Sequence, residues 1–285
     1  MPDPSSAPVT LGGQTAYFPG VTNTGLVGGC LIDPGLEEAA YLAADFDAIL
    51  ITHGHADHFS SAALLRERAQ ARVVAPREEA RLVENPEVNV RGMFSWAKPS
   101  NEMVTKLFRG EGCHVDAFSD EWESETLQTV PLAGHTLGHT GYLTADGVLF
   151  SGDSLYVRDL WARHPLPYAI DVGLVRSSLQ LIDRLAPEWV VPGHGEPKEG
   201  REVAAHVRHH LSRLEAIEST LLGMLAEPKT TEDAIAGLCD HLGLYQNPAQ
   251  YWLAVTTVKA FLSELLSREA AEFYVEAHRG YWRAR

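Results

Sequence analysis

The 285-residue sequence reads as an α/β (α+β) protein with a helical C-terminal tail, and three observations carry that reading. Between residues 9 and 200, short apolar runs of strand length alternate with segments of helical period, the order expected when helices cover a sheet. From Glu202 onward the pattern turns helical and closes on an alternating run. Hydrophobic residues make up 45% of the chain, enough for a large core.

Residues 1–8 read as a disordered leader, without the basic and apolar regions of a signal peptide. Val9 to Asp33 breaks at Gly12-Gly13, Pro19-Gly20 and Gly28-Gly29 into short strands joined by tight turns. A short helix is expected over 36–44, a strand over 47–51, a helix over about 59–70, and a strand over 72–75 closed by Pro76. An insertion at about 85–112 interrupts this rhythm with Met93, Phe94, Trp96, Met103, Leu107 and Phe108, too apolar for a loose loop. It reads as one or two short helices, either a lid that turns Arg91, Phe94 and Trp96 to a substrate or plain core packing.

Strand signals resume at 114–118, 126–131, 141–144 and 148–151, and a loop over 155–170 leads to a helix over 171–185 and a strand at 189–191. Val203, Val207, Leu211, Leu214, Ile217 and Leu221 recur at three to four, the mark of a long amphipathic helix. Helices near 231–242 and 250–268, then a hairpin around Arg279-Gly280, complete the order of a winged-helix module. The expected units are therefore 1–8, 9–200 and 201–285.

No run approaches the roughly 18 apolar residues of a membrane span, so a cytoplasmic location without a membrane is expected. Cys30, Cys113 and Cys239 are odd in number and far apart, which excludes a disulfide framework or a Cys-x-x-Cys clip. The formal net charge of −15 argues against a protein that holds polyanions by bulk electrostatics. Residues 200–285 carry a net −2 and the first 199 a net −13, so the tail is the less acidic part.

Thr52-His53-Gly54-His55-Ala56-Asp57-His58 follows the apolar run 47–51 and crowds three imidazoles and a carboxylate into six positions. Such donors are the usual ligands of borderline divalent ions, and without a cysteine the pattern suits a catalytic site. His53 and His55 can project to one side of extended chain, while Asp57 and His58 point elsewhere, so one loop could feed two neighbouring ions. The plainer alternative is a solvated histidine-rich turn. Gly134-His135-Thr136-Leu137-Gly138-His139, Ser151-Gly152-Asp153 and Pro192-Gly193-His194-Gly195 also follow apolar runs, with glycines beside each polar residue.

In these four motifs, and in their order, the chain resembles the metallo-β-lactamase superfamily over roughly residues 9–200. The resemblance implies a four-layer αββα sandwich with the site at one edge. It implies that His53, His55 and His135 bind one metal, that Asp57, His58 and His194 bind a second, and that Asp153 bridges them. Two divalent ions, zinc first and iron or manganese as alternatives, would acidify a shared bridging water to hydroxide and polarise the group it attacks. Asp57 would also orient that nucleophile as the catalytic residue.

Around this set, His139 reads as a partner that hydrogen-bonds a ligand, in preference to a ligand itself. Arg158, His164 and Tyr168, in the loop after Asp153, are candidates to line the substrate pocket together with Phe94 and Trp96. His206 and His210, four apart on the long helix, read as a solvated face. Asp153 stands where common class B β-lactamases use cysteine, the histidines that flavodiiron proteins replace are intact, and no tail resembles the glutathione-binding region of glyoxalase II. The helical tail resembles the branch with a C-terminal winged-helix-like domain.

The expected function is hydrolysis of a small ester, thioester or lactone. The alternatives are a phosphodiesterase or endoribonuclease of the same fold, and a regulatory protein whose tail binds nucleic acid or a partner. RNA is disfavoured by the acidic balance, although Arg208, Arg213, Lys259, Arg279, Arg283 and Arg285 could cluster. Trp252, Phe261, Phe273, Tyr274 and Trp282 suit either a homodimer contact or a small core of the tail.

Overall fold

The computed structural model describes residues 7–36, 41–101, 104 and 110–285. Met103, Leu107, Phe108, residues 37–40 of the helix expected over 36–44 and the first six residues of the leader lie outside the described residues.

Two sheets stack face to face. The first runs in chain order from β1 (Val9–Gly12) through β2 (Thr15–Phe18), β3 (Thr24–Val27), β4 (Cys30–Ile32), β5 (Ala48–Leu50) and β6 (Arg72–Ala75) to β7 (Ala117–Phe118). β1 to β4 form an antiparallel meander, and β4 to β7 pair in parallel. The second sheet contains β8 (Leu127–Pro131), β9 (Thr140–Thr144), β10 (Val148–Gly152), β11 (Trp189–Pro192) and β12 (Lys198–Glu199), in the order β12-β11-β10-β9-β8.

Side-chain alternation divides the strands between layers. Ala48 and Leu50 join Ile32, Val74, Tyr142, Phe150 and Val191 between the sheets. Ile49 faces the other way, with Leu31, Val73, Phe59 and Leu65. That second layer is covered by α1 (Ala56–Phe59) and α2 (Ala62–Ala69). A residue period of two sends neighbours to opposite faces, so a strand buried on both sides reads as a continuous apolar run. The helix expected near 59 starts at Ala56, and this places Asp57 and His58 within its first turn.

On the outer face of the second sheet, Val130, Leu149 and Val190 pack with α6 (Val172–Leu185) and α7 (Gly200–Met224), the helices that follow the 155–170 loop. The one turn inside that loop is α5 (Arg158–Trp161); α3 (Ala80–Glu84) precedes the insertion expected at about 85–112, which holds α4 (Pro86–Met93). The same core continues into α8 (Thr231–Leu242) and α9 (Pro248–Ser267) through Leu238, Phe261 and Leu265. The helix starts are set by side chains: Asp171 caps α6, Thr230 and Asp233 form a reciprocal capping box on α8, and Asn247 with Pro248 opens α9.

A small sheet of β13 (Lys229–Thr230), β14 (Ala271–Glu276) and β15 (Arg279–Ala284) closes the chain, in the order β13-β15-β14. The hairpin turns on Ala277 and His278, at φ 46° and 62°, rather than on Arg279-Gly280. Gly280 pairs with Val275 and leaves room for the Phe273 ring, so the glycine marks close packing and not the turn.

Truncating Ile49, which is fully buried against the helix layer, leaves a cavity that a rigid sandwich cannot collapse. Ile49→Ala is expected to lower unfolding stability by about 3 kcal/mol, read as a shift in the urea midpoint without a change in slope.

Candidate metal centre

The strand ends that carry the four motifs meet at one edge of the sandwich. The loop after β5 supplies His53 to His58, the loop after β8 His135, the end of β10 Asp153 and the loop after β11 His194. Three sets of side chains then present ligand atoms within 4.8 Å of one another: His53, His55 and His135; His53, His58 and Asp153; Asp57, His58 and His194. The seven residues singled out in the sequence are therefore brought together.

Four of the five clustered imidazoles are held from behind. The Nδ1–H of His53 donates to Thr52 Oγ1 at 2.9 Å, and that of His58 to Asp33 Oδ2 at 2.9 Å. His135 donates to the Tyr168 carbonyl at 3.0 Å and His194 to the Val21 carbonyl at 2.6 Å. In each case the bond fixes the ring and turns Nε2 inward. His53 Nε2 and His135 Nε2 each lie 3.0 Å from His55 Nδ1. His135 Nε2 lies 3.5 Å from Asp153 Oδ2, and His194 Nε2 lies 3.3 Å from Asp57 Oδ2 and 3.6 Å from Asp153 Oδ2.

Two buried carboxylates that the sequence reading missed organise these loops. Asp33, at the end of β4, accepts from the Thr52 N–H and hydroxyl, both at 2.7 Å, and from His58. Glu79, fully buried, accepts from the Gly54 N–H at 2.9 Å and the Gly138 N–H at 2.7 Å. It thereby joins the first histidine loop to the third motif. The sequence does hold a signal for Asp33: it ends an apolar run before Pro34-Gly35, as the other motif residues end theirs. Glu79 sits in Arg77-Glu78-Glu79 and nothing local distinguishes it from its neighbour.

The remaining candidates divide. His139 Nε2 accepts from the Asp153 N–H at 3.0 Å, and its Nδ1–H meets Ser154 Oγ at 3.0 Å, so it shapes the Asp153 turn. The Tyr168 ring lies 5.2 Å from the His55 ring and 5.4 Å from the His135 ring. Phe94 is buried with its ring 4.5 Å from that of Trp252, which is core packing, and Trp96 is 67% exposed. Neither belongs to the cluster. Arg158 and His164 have exposed side chains in the loop after Asp153. His206 and His210 are not a solvated face: both are buried, and their Nδ1 atoms accept at 3.2 Å from the N–H groups of Arg158 and Tyr156. Their burial follows from packing α7 against that loop, a long-range contact that helical period cannot reveal.

Two glycines are required by crowding. A β-carbon on Gly193 would run into Asp153 Oδ1 and approach His58 Cε1 to 2.7 Å, and Gly152 has φ +47° beneath His139. Asn23 holds the Gly193 turn, donating from Nδ2 to the Pro192 carbonyl at 2.8 Å and to the Gly195 carbonyl at 2.6 Å.

Burial and charge split the imidazoles. Burial, reinforced by neighbouring imidazoles, pushes His53 well below its ordinary value and His135 down to about 3. Burial opposes the charge of His58 and His194 too, but carboxylates outweigh it. Asp153 and Asp33 hold His58 well above the usual range, and Asp153 and Asp57 lift His194 to about 9. Reciprocally, His194 and His58 hold Asp153 and Asp57 well below the carboxylate range despite their burial.

The residues fit divalent ions on two counts. The donors are imidazole and carboxylate without thiolate, and His58 Nε2 is buried with no hydrogen-bond partner among the described residues. A buried polar atom without a partner costs free energy that a metal ligand bond would offset.

At pH 7 the metal-free protein is expected to carry protons on His58 and His194, because both titrate above neutrality. Loading with divalent metal should then release about two protons per chain, measured with a pH indicator in weak buffer, and affinity should fall as pH is lowered. Burial, with His209 and Arg176 nearby, depresses His210 to about 3. The unfolded chain therefore binds the extra proton first on acidification, and stability present above pH 6.5 is lost as pH falls towards 3. Wild type should lose about 2 kcal/mol between pH 7 and pH 5 from this group, and His210→Gln correspondingly less, by urea unfolding at both pH values.

Residues 17–194 match the family described as Metallo-beta-lactamase superfamily. A "Probable metallo-hydrolase" of Methanocaldococcus jannaschii is 28% identical over 158 residues, covering 53% of this chain and 71% of that protein. The hydroxyacylglutathione hydrolase of Vibrio cholerae is 32% identical over 133 residues, covering 44% of this chain and 42% of the enzyme, less than half its length. Among solved structures, a metallo-beta-lactamase family protein of Thermus thermophilus superposes with a TM-score of 0.68 at 20% identity, covering 98% of this chain and 97% of that one. A beta-lactamase domain protein of Burkholderia ambifaria gives 0.72 at 17%, covering 98% and 93%. At such identities these two show the fold, and they share it along nearly the whole chain. With its two stacked sheets and its buried histidine–aspartate cluster, the chain belongs to the metallo-beta-lactamase superfamily and is a metallo-hydrolase of that family.

Proposed function

We propose that the protein is a dinuclear metal-dependent hydrolase of small esters, thioesters or lactones. The observation that carries this reading is the convergence of seven ligand side chains, four of them imidazoles already bonded through Nδ1 with Nε2 turned inward. His53, His55 and His135 would hold one ion and Asp57, His58 and His194 the other, with Asp153 between them. Zinc suits these donors best, and iron and manganese accept the same set. When bound, such a pair supplies an acidified water and polarises the carbonyl or phosphoryl oxygen under attack.

The chain's own residues supply position and proton control. Asp57 is held ionised beside His194 on the partly exposed side of the cluster, where its carboxylate can accept a hydrogen bond from the attacking water and orient it. Asp33, Glu79 and His139 keep the loops from relaxing, so the donors stay in place without reorganisation during the reaction. Tyr168, whose burial lifts the phenol to about 12, remains a hydrogen-bond donor at neutral pH beside His55 and His135.

The tail runs α7, β13, α8, α9 and then the β14–β15 hairpin, an order that supports the winged-helix-like reading. Three of its arginines are already engaged, which weighs against nucleic-acid cleavage as the main activity. Arg283 is paired with Glu272, Arg285 lies 4.0 Å from the same carboxylate, and Arg213 sits over the Trp161 ring at 5.3 Å. Phosphate contacts need such groups free along one face.

His58→Ala removes a donor from two of the three sets and is expected to lower kcat/KM on the best ester or thioester by a hundredfold or more, on the order of what loss of a metal ligand or its partner costs, with metal content falling by mass spectrometry. Turnover by His58→Ala equal to wild type would defeat the reading. Rapid cleavage of single-stranded RNA without ester turnover would replace it by the nuclease.

A further inference from the structure

His55 is the clustered imidazole with no hydrogen bond behind its ring. It faces His53 and His135 through Nδ1, which lies 3.0 Å from each Nε2, and its other ring nitrogen bonds to none of the described residues. The Tyr168 ring stands 5.2 Å away at 67°, an edge contact and not a directional bond. The position of His55 is therefore set through its backbone.

That backbone is gripped at Gly54, between His53 and His55. The Gly54 N–H donates to Glu79 Oε2 at 2.9 Å, and the Gly54 carbonyl accepts from Asn89 Nδ2 at 3.3 Å. Glu79 precedes α3 and Asn89 lies in α4, so both holders come from the segment after β6 and not from the histidine loop itself. The other oxygen of Glu79, Oε1, accepts from the Gly138 N–H at 2.7 Å, in the loop that carries His135. The segment lies close over both loops: a β-carbon on Gly54 would come to 2.5 Å from Leu82 Cβ, and one on Gly138 to 2.8 Å from Glu78 Cβ. Glu79 is fully buried, and its two oxygens are each satisfied by a ligand loop.

We propose that Glu79 is a positioning residue for the ion held by His53, His55 and His135, and that the second ion does not depend on it. Its two bonds staple together the two loops that supply those three donors. Asp57, His58 and His194 are placed instead by α1, Asp33 and the Val21 carbonyl. Without one of the two bonds His55 can shift against His135, and ion binding must then supply the ordering that the folded loops now provide. This rests on the two-ion reading, and it assigns the first ion a holder that touches no donor atom.

The test measures zinc affinity of the full-length protein by competition with a chromogenic chelator in two backgrounds. His194→Ala removes a donor of the second set and leaves the first, and His135→Ala does the reverse. Glu79→Gln keeps the volume and one acceptor but turns an amide N–H against a backbone N–H, so a bond is lost without a cavity. It is expected to weaken zinc binding about ten- to a hundredfold in His194→Ala and to leave His135→Ala within about twofold. In the otherwise unchanged chain, native mass spectrometry at a zinc level that fills both sites of wild type should find Glu79→Gln with the second site alone filled. Asn89→Ala, at a half-buried position, is expected to weaken the first site about fivefold and decides the matter should Glu79→Gln fail to fold. Ile49→Ala, which weakens the fold away from the site, should leave both affinities within about twofold. Equal losses in the two backgrounds, or none in His194→Ala, would overturn the positioning role while the two-ion reading stands. Wild-type protein that takes up no zinc, iron or manganese overturns both.

Discussion

The carboxylate of Asp33 is the contact on which the site depends. It is buried at the end of β4, where polar atoms without partners would be costly. Three hydrogen bonds, from the Thr52 N–H, the Thr52 hydroxyl and His58, offset that cost. The same three bonds fix how the chain leaves β5 and how His58 is turned. Thr52 passes the constraint on to His53, and its carbonyl accepts from the Thr140 N–H, which ties the first sheet to the second. Strand ends from both sheets are thereby locked together before any ligand atom is counted.

Such a site is unstable by its own composition. Burial suppresses the charge of His53, His135 and His139, while Asp153 and its neighbours force charge onto His58 and His194. Imidazole rings from different loops sit with centroids 4.8–5.3 Å apart. The surrounding sandwich holds this arrangement because Ile49, Leu50, Val73, Val74 and Leu149 are wholly buried on either side of the strands that carry it. Rigid strands and crowded polar ends divide the work: the strands supply stability and the ends supply chemistry.

The tail is joined to the site physically as well as in sequence. Its helices share one core with the outer face of the second sheet. His206 and His210 on α7 accept from the backbone five and three residues beyond Asp153, and Thr256 and Thr257 on α9 contact Tyr168 and the Ala169 N–H. Changes in the tail can therefore alter what reaches the metal centre without touching a ligand.

The sequence by itself determined the sheet and helix order, because strands buried on both faces and amphipathic helices leave periodic records, and it determined the four motifs, because several donors must sit within a few residues at strand ends. The seven side chains from His53 to His194 were legible for that reason. Tertiary structure alone decided which other residues serve them. Glu79 reaches Gly54 and Gly138 across 25 and 59 positions, His210 reaches Tyr156 across 54, and the Phe94 ring finds Trp252 instead of the site. These contacts depend on how layers stack, and a lone glutamate, histidine or phenylalanine has the same local pattern whether it is buried against a loop or exposed to water.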